Sequence, residues 1–237
     1  MLNIIKVWQV DLNKYNKSSN SSIFCIHLKV TDLNAHAQNL ITQISDTSWI
    51  MSLGVIQQAS YFARSKATIK KLVDDIFSKI EDEVTSDFGE YLVSMTAQIS
   101  LKEKYNHKIV PISELWNKKV SGNPGFDFHS ESVAGIIVFG EAKYNSTSNP
   151  YRDAIKQIIY FIDHEKDIMD LVELKDFCSE LSICNAHKKV KSYAAAFSLN
   201  GKRHDQIFDN IFNSDLIDPL LDYPEIYIIG IEVGGKI

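Results

Sequence analysis

Residues 225–233, Glu-Ile-Tyr-Ile-Ile-Gly-Ile-Glu-Val, constrain the fold more than any other segment. A short run that is apolar at consecutive positions suits a strand covered on both faces, the place of a central strand in a helix-flanked sheet. Residues 23–30 (Ile-Phe-Cys-Ile-His-Leu-Lys-Val), 136–139 (Ile-Ile-Val-Phe) and 191–199 read as further strands. A polar, Ser/Asn-rich turn at residues 13–22 precedes the first of these.

Helical periodicity fills the intervals. Residues 60–83 repeat Ile69, Leu72, Val73, Ile76, Phe77 and Ile80 at helical spacing. The run ends on Glu81, Asp82 and Glu83, which oppose the helix dipole, so a soft boundary falls near Val84. A second helix, from Phe88 to about Leu101 and capped by Ser86 or Asp87, carries the stripe Phe88, Leu92, Met95 and Ile99. Glu90 shares another face with Val93, Ala97 and Leu101, and a carboxylate there needs a partner because a buried unpaired charge costs several kcal/mol. Residues 109–112 read as a short extended piece, and 121–125 and 145–150 as loops. A third helix over residues 151–164 turns Tyr151, Ile155, Ile158 and Ile162 inward, with Asp153, Gln157, Tyr160 and His164 on a different face. Helix-compatible sequence continues over residues 166–182. Helices on a mixed sheet make an α/β domain, with residues 84–237 as its core and residues 1–83 as an N-terminal α/β extension.

Composition narrows the class. A chain of 237 residues, 45% hydrophobic, can bury a substantial core. Polar residues interrupt residues 1–11, and no stretch reaches the roughly 18 apolar residues of a membrane span, so a cytoplasmic protein without a removed signal or a membrane partner is expected. The three cysteines, Cys25, Cys178 and Cys184, follow no framework spacing and read as buried free thiols of a reducing compartment. Cys178 and Cys184 with His187 lack a Cys-x-x-Cys pair, which disfavours zinc at that place. A net charge of -5 removes the global positive field that supplies non-specific nucleic-acid affinity. Local basic clusters (Arg64, Lys66, Lys70 and Lys71; Lys118 and Lys119; Lys188, Lys189 and Lys191; Lys202 and Arg203) read as solvated faces.

The chemistry concentrates in Gly125-Phe126-Asp127-Phe128 and Gly140-Glu141-Ala142-Lys143, on two neighbouring strands. Alternation along a strand turns Glu141 and Lys143 to one face and Val138 and Ala142 to the other. The bland account is an exposed Glu141/Lys143 ladder with Asp127 as a turn residue, but Asp127 stands between two phenylalanines. His129 and Glu131 would continue its strand face and read as strand-end residues facing water.

Together with Asp87-Phe88-Gly89-Glu90 and the helix bearing Gln157 and Tyr160, these residues resemble the PD-(D/E)xK nuclease superfamily over about residues 84–199. More narrowly they resemble the family of nuclease subunits of the Hachiman anti-phage defence system. Pro124 stands three residues before Asp127 rather than beside it. The resemblance implies a restriction-endonuclease-like core and metal-dependent cleavage of DNA, with Mg²⁺ or Mn²⁺ held by Asp127, Glu141 and Glu90. Lys143 would act at the attacking water and the phosphate, as a base only if its pKa were lowered. Gln157 would hydrogen-bond lysine, nucleophile or phosphate, and Tyr160 would close the same side of the pocket. Glu114 is the alternative third acid. The family also implies a helicase subunit as partner in a heterodimer, and residues 1–80 with those past Gly201 are expected to supply the partner surface. Two further accounts remain open, a site-specific restriction subunit and a catalytically silent module bridging helicase and DNA.

Overall fold

The computed structural model describes residues 1–77, 84–116 and 125–233. The chain opens with an antiparallel hairpin, β1 (Leu2–Gln9) and β2 (Ser22–Val30), where the sequence had shown only the second strand. β1 escaped because it is an edge strand whose residues are mostly exposed, with Ile5 and Val7 facing solvent. Helices α1 (Leu33–Ser45) and α2 (Val55–Lys71) follow. α2 starts before the expected position and passes at Leu72–Ile76 into a π-helical turn. The acidic ending expected at residues 81–83 lies outside the described residues.

α3 (Ser86–Tyr105) is capped by Thr85, whose hydroxyl accepts from the Phe88 N–H at 3.3 Å, rather than by Ser86 or Asp87. It ends on Asn106 in the left-handed region, where its N–H closes back on Leu101 and Lys102 carbonyls. Then come β3 (Lys108–Ile109), β4 (Phe128–Glu131), β5 (Ile137–Lys143), α4 (Tyr151–Asp163), the short helices α5 (Lys166–Met169), α6 (Leu171–Leu174) and α7 (Glu180–His187), β6 (Ser192–Ser198), α8 (His204–Phe212) and β7 (Glu225–Val233). The loop expected at residues 121–125 falls largely outside the described residues, as do Lys118 and Lys119.

All strands join one seven-stranded sheet in the order β1-β2-β7-β6-β5-β4-β3. The middle is parallel (β2/β7, β7/β6, β6/β5) and both margins are antiparallel, so the fold is a mixed α/β sheet flanked by helices. Every residue of β6 is buried, and so are residues 226–231 of β7, which is why both read as continuous apolar runs. The N-terminal region supplies two strands of the same sheet, because β2 pairs with β7 along its whole length from Ser22–Glu225 to Val30–Val233. Among the described residues no helix is long and apolar enough to cross a membrane.

Two helices position the chemistry. α3 packs against β4, β5 and β6, and the buried Gln98 amide donates to the carbonyls of Val110 at 2.8 Å and His129 at 2.9 Å, tying the helix to the β3/β4 margin. α4 packs against β5 and β6, and its Phe161 meets Phe126 edge to face at 5.0 Å. Phe126 is thereby locked in the core immediately before Asp127.

Candidate active site

Asp127 owes its place to backbone pairing. Its N–H donates to the Gly140 carbonyl at 2.9 Å, and the Ala142 N–H donates to Asp127 Oδ2 at the same distance. The aspartate is therefore fastened to β5 beside Glu141. Gly140 makes this approach possible, since a Cβ there would lie 2.2 Å from the Phe128 ring.

Glu141 is almost fully buried, at 1% exposure. Its Oε1 accepts from Lys143 Nζ at 2.7 Å, while Oε2 is buried with no hydrogen-bond partner among the described residues. The contact between Glu141 and Lys143 shows the two side chains on one face, as strand alternation requires. Burial raises the Glu141 carboxyl well above its ordinary range, and the neighbouring Asp127 charge adds to this. Asp127 is pushed up to about 6, first by burial and then by Glu114, against the opposing Ala142 N–H and Lys143 charge. Burial pulls Lys143 down, but Glu141, Asp127 and Glu90 overcome it and hold the ammonium above its ordinary value. The lowered pKa that a lysine base requires is therefore not found here.

Glu90 reaches this group from the first turns of α3, beside Val93, Ala97 and Leu101, all buried. Burial raises its pKa while Lys143 draws it back. A neighbouring glycine, Gly89, lets α3 close on β5's end: its Cβ would sit 2.2 Å from the Tyr144 ring. Glu90, Glu114 and Asp127 all line a cavity of about 460 Å³, whose rim includes Lys71 and Asp75 from the end of α2 and the turn after it. Both candidate third acids thus share one wall. Lys71 read only as part of a solvated basic face and Asp75 was not singled out, since only the tertiary fold brings them beside Asp127. A larger cavity of about 710 Å³ opens between α1 and α3, and none of the Asp127, Glu141 and Lys143 group lines it.

The acids do not form a closed ligand set. Among the described residues, the trio whose ligand atoms lie within 4.8 Å of one another is His27, His204 and Glu232, elsewhere on the sheet. Asp127, Glu141 and Glu90 are instead electrostatic neighbours around one ammonium. That donor set suits a hard cation, which takes one or two carboxylates and keeps several waters. The orphaned Oε2 of Glu141 and the raised Asp127 and Glu141 carboxyls mark a place where added positive charge is favourable.

Gln157 is half-buried on α4, and the hydrogen bonds of Asp127 and Glu141 run to Ala142 and Lys143 rather than to it. Tyr160 is exposed and lies against His164, with ring centroids 3.9 Å apart. His129 and Glu131 do not face water: both are buried, His129 with Asp170 at 3.2 Å and Glu131 held by Ser179 and Ser182. Those hydrogen bonds outweigh burial and lower the Glu131 pKa. Lys191 is not on a solvated face either, being buried in an ion pair with Asp167. Cys25 and Cys178 are buried free thiols, but Cys184 is exposed.

Compared with known proteins, the chain matches no family model, and no curated protein or solved structure matches it either.

Proposed function

We propose that this chain is a metal-dependent deoxyribonuclease of a bacterial anti-phage defence system, hydrolysing DNA with little sequence preference under the control of a partner helicase. One observation carries the reading: a buried Glu141, half satisfied by Lys143, stands beside an Asp127 bound to the same strand. Asp127 and Glu141 would hold Mg²⁺ or Mn²⁺, with Glu90 or Glu114 meeting its waters. A divalent cation at this place supplies positive charge for a phosphodiester and lowers the pKa of bound water.

The chain's own residues would do the rest. Lys143, as an ammonium, neutralises phosphate charge and orients the Glu141 carboxylate. Phe126 and Phe128 flank Asp127 in the core, and the Ala142 N–H engages its Oδ2, so Oδ1 would be the oxygen offered to a cation. The net charge of -5 supports control by a partner, because the chain brings little electrostatic affinity for DNA of its own.

The test is plasmid cleavage with Mg²⁺, by the chain alone and together with the products of its neighbouring genes, for wild type, Glu141→Ala and Lys143→Ala. Cleavage by wild type and none by either variant is expected. Cleavage that survives both substitutions refutes the site, and absence of cleavage with every partner refutes the activity.

A further inference from the structure

A second cluster of ligating side chains lies on β2, β7 and the start of α8. His27 and Gly230 are opposite one another on the parallel pair β2/β7, which puts Glu232, two residues on, on the same face as His27. Gly230 leaves the space that Leu199 and Phe208 fill, and Phe208 belongs to α8. Seating α8 there delivers its first residue, His204, onto the same place. His27 Nε2 lies 2.7 Å and His204 Nδ1 3.3 Å from Glu232 Oε1, and the two rings meet edge to face at 4.8 Å.

We propose that His27, His204 and Glu232 form a binding site for a borderline transition-metal ion of the Zn²⁺ class. Two imidazoles and a carboxylate select such an ion over Mg²⁺ or Ca²⁺, which take oxygen ligands. Zinc bonds of about 2.0–2.1 Å place tetrahedral ligand atoms about 3.3 Å apart. The His204–Glu232 spacing of 3.3 Å already has that value, and the His27–Glu232 contact of 2.7 Å needs to open by a few tenths of an ångström.

The surroundings are arranged as a ligand shell needs. Lys29 engages the other carboxylate oxygen, Oε2, at 3.0 Å, which leaves Oε1 to the imidazoles and fixes the carboxylate's orientation. Lys6, opposite His27 on β1, is held by Asp205 at 2.8 Å and over the Trp8 ring at 4.7 Å. His27 and His204 also line a cavity of about 490 Å³, which admits solvent to a fourth coordination position. The ion would clasp strands and helix drawn from the two ends of the chain.

The full-length chain, stripped with chelator, is titrated with ZnSO₄ by calorimetry and with CoCl₂ by visible absorption. One equivalent of Zn²⁺ and the intense absorption of tetrahedral Co²⁺ are expected. Binding should persist in the double variant Asp127→Asn/Glu141→Gln and weaken at least tenfold in His204→Ala and in Glu232→Gln, whose folding is checked by circular dichroism. A wild-type chain that binds no Zn²⁺, or a His204→Ala variant that binds it as wild type does, overturns the site and leaves a hydrogen-bonded His-Glu-His cluster. Loss of Zn²⁺ only in the Asp127/Glu141 variant overturns it equally, by relocating the ion.

Discussion

Lys143 donates to one oxygen of Glu141 at 2.7 Å, and the other oxygen of that carboxylate has no hydrogen-bond partner among the described residues. Removing the lysine strands a buried charge, whereas removing the charge of Glu141 relieves one. Lys143→Met is therefore expected to lower stability by about 2–4 kcal/mol, and Glu141→Gln to be neutral or stabilising. In the Glu141→Gln background, Lys143→Met should cost much less. A double-mutant cycle by urea denaturation measures this, and equal costs in the two backgrounds would contradict the coupling.

Protons and a divalent cation compete for the same carboxylates. Asp127 sits at about 6, and Glu141 is raised further by burial beside it. As pH falls through 6, Asp127 takes up a proton and apparent Mn²⁺ affinity should drop by up to about tenfold per pH unit. Calorimetric titrations between pH 5 and 8 check this. Asp127→Asn should bind more weakly and show a flatter pH dependence.

Two buried histidines act on acid stability. His36 bonds with Thr96 at 2.8 Å, His107 with Ser130 at 3.0 Å and Tyr227 at 3.2 Å, and burial lowers each pKa from 6.5 to about 4. Between those values the unfolded chain binds protons that the native chain refuses, so stability falls as pH drops from 6.5 to 4 and is unaffected above that window. The contribution is up to about 3 kcal/mol per histidine. Asp127 and Glu141, raised in the fold, act in the opposite direction, so the difference between wild type and His36→Gln is the quantity to measure. That difference should shift in the variant's favour on acidification, and a pH-independent difference would count against a neutral buried His36.

Glycine at position 140 is required by contact. An added Cβ meets the Phe128 ring at 2.2 Å, and Phe128 is fully buried with no room to swing. Gly140→Ala should cost about 1–3 kcal/mol and disturb Asp127, whose N–H uses the Gly140 carbonyl. Gly89→Ala faces the same distance to Tyr144, but that ring is only half-buried and can move outward, so the cost is expected to be smaller. Denaturant unfolding of both variants tests the order.

Much of the sheet was legible. Residues 23–30, 191–199 and 225–233 announce β2, β6 and β7 because strands buried for most of their length read as near-continuous apolar runs. α4 and most of α3 show in helical periodicity, and Glu90, Asp127, Glu141 and Lys143 stood out as charges set among apolar neighbours. β1, α1 and α8 were missed: β1 is an exposed edge, and the two helices follow turns without the long apolar repeat that betrays α4.

The sequence by itself determined the strands β2, β6 and β7, the helix α4 and most of α3, and that Glu141 and Lys143 share a face, because period two and period 3.6 are local properties of the chain. Only the tertiary structure decided that β2 lies beside β7, that Lys71 and Asp75 rim the Asp127 cavity, and that His27 meets His204 and Glu232. Those are contacts between residues far apart in sequence. They follow from how the sheet buries its apolar strands and from where close approaches such as Gly230 under Leu199 and Phe208 let helices sit, which no local pattern encodes.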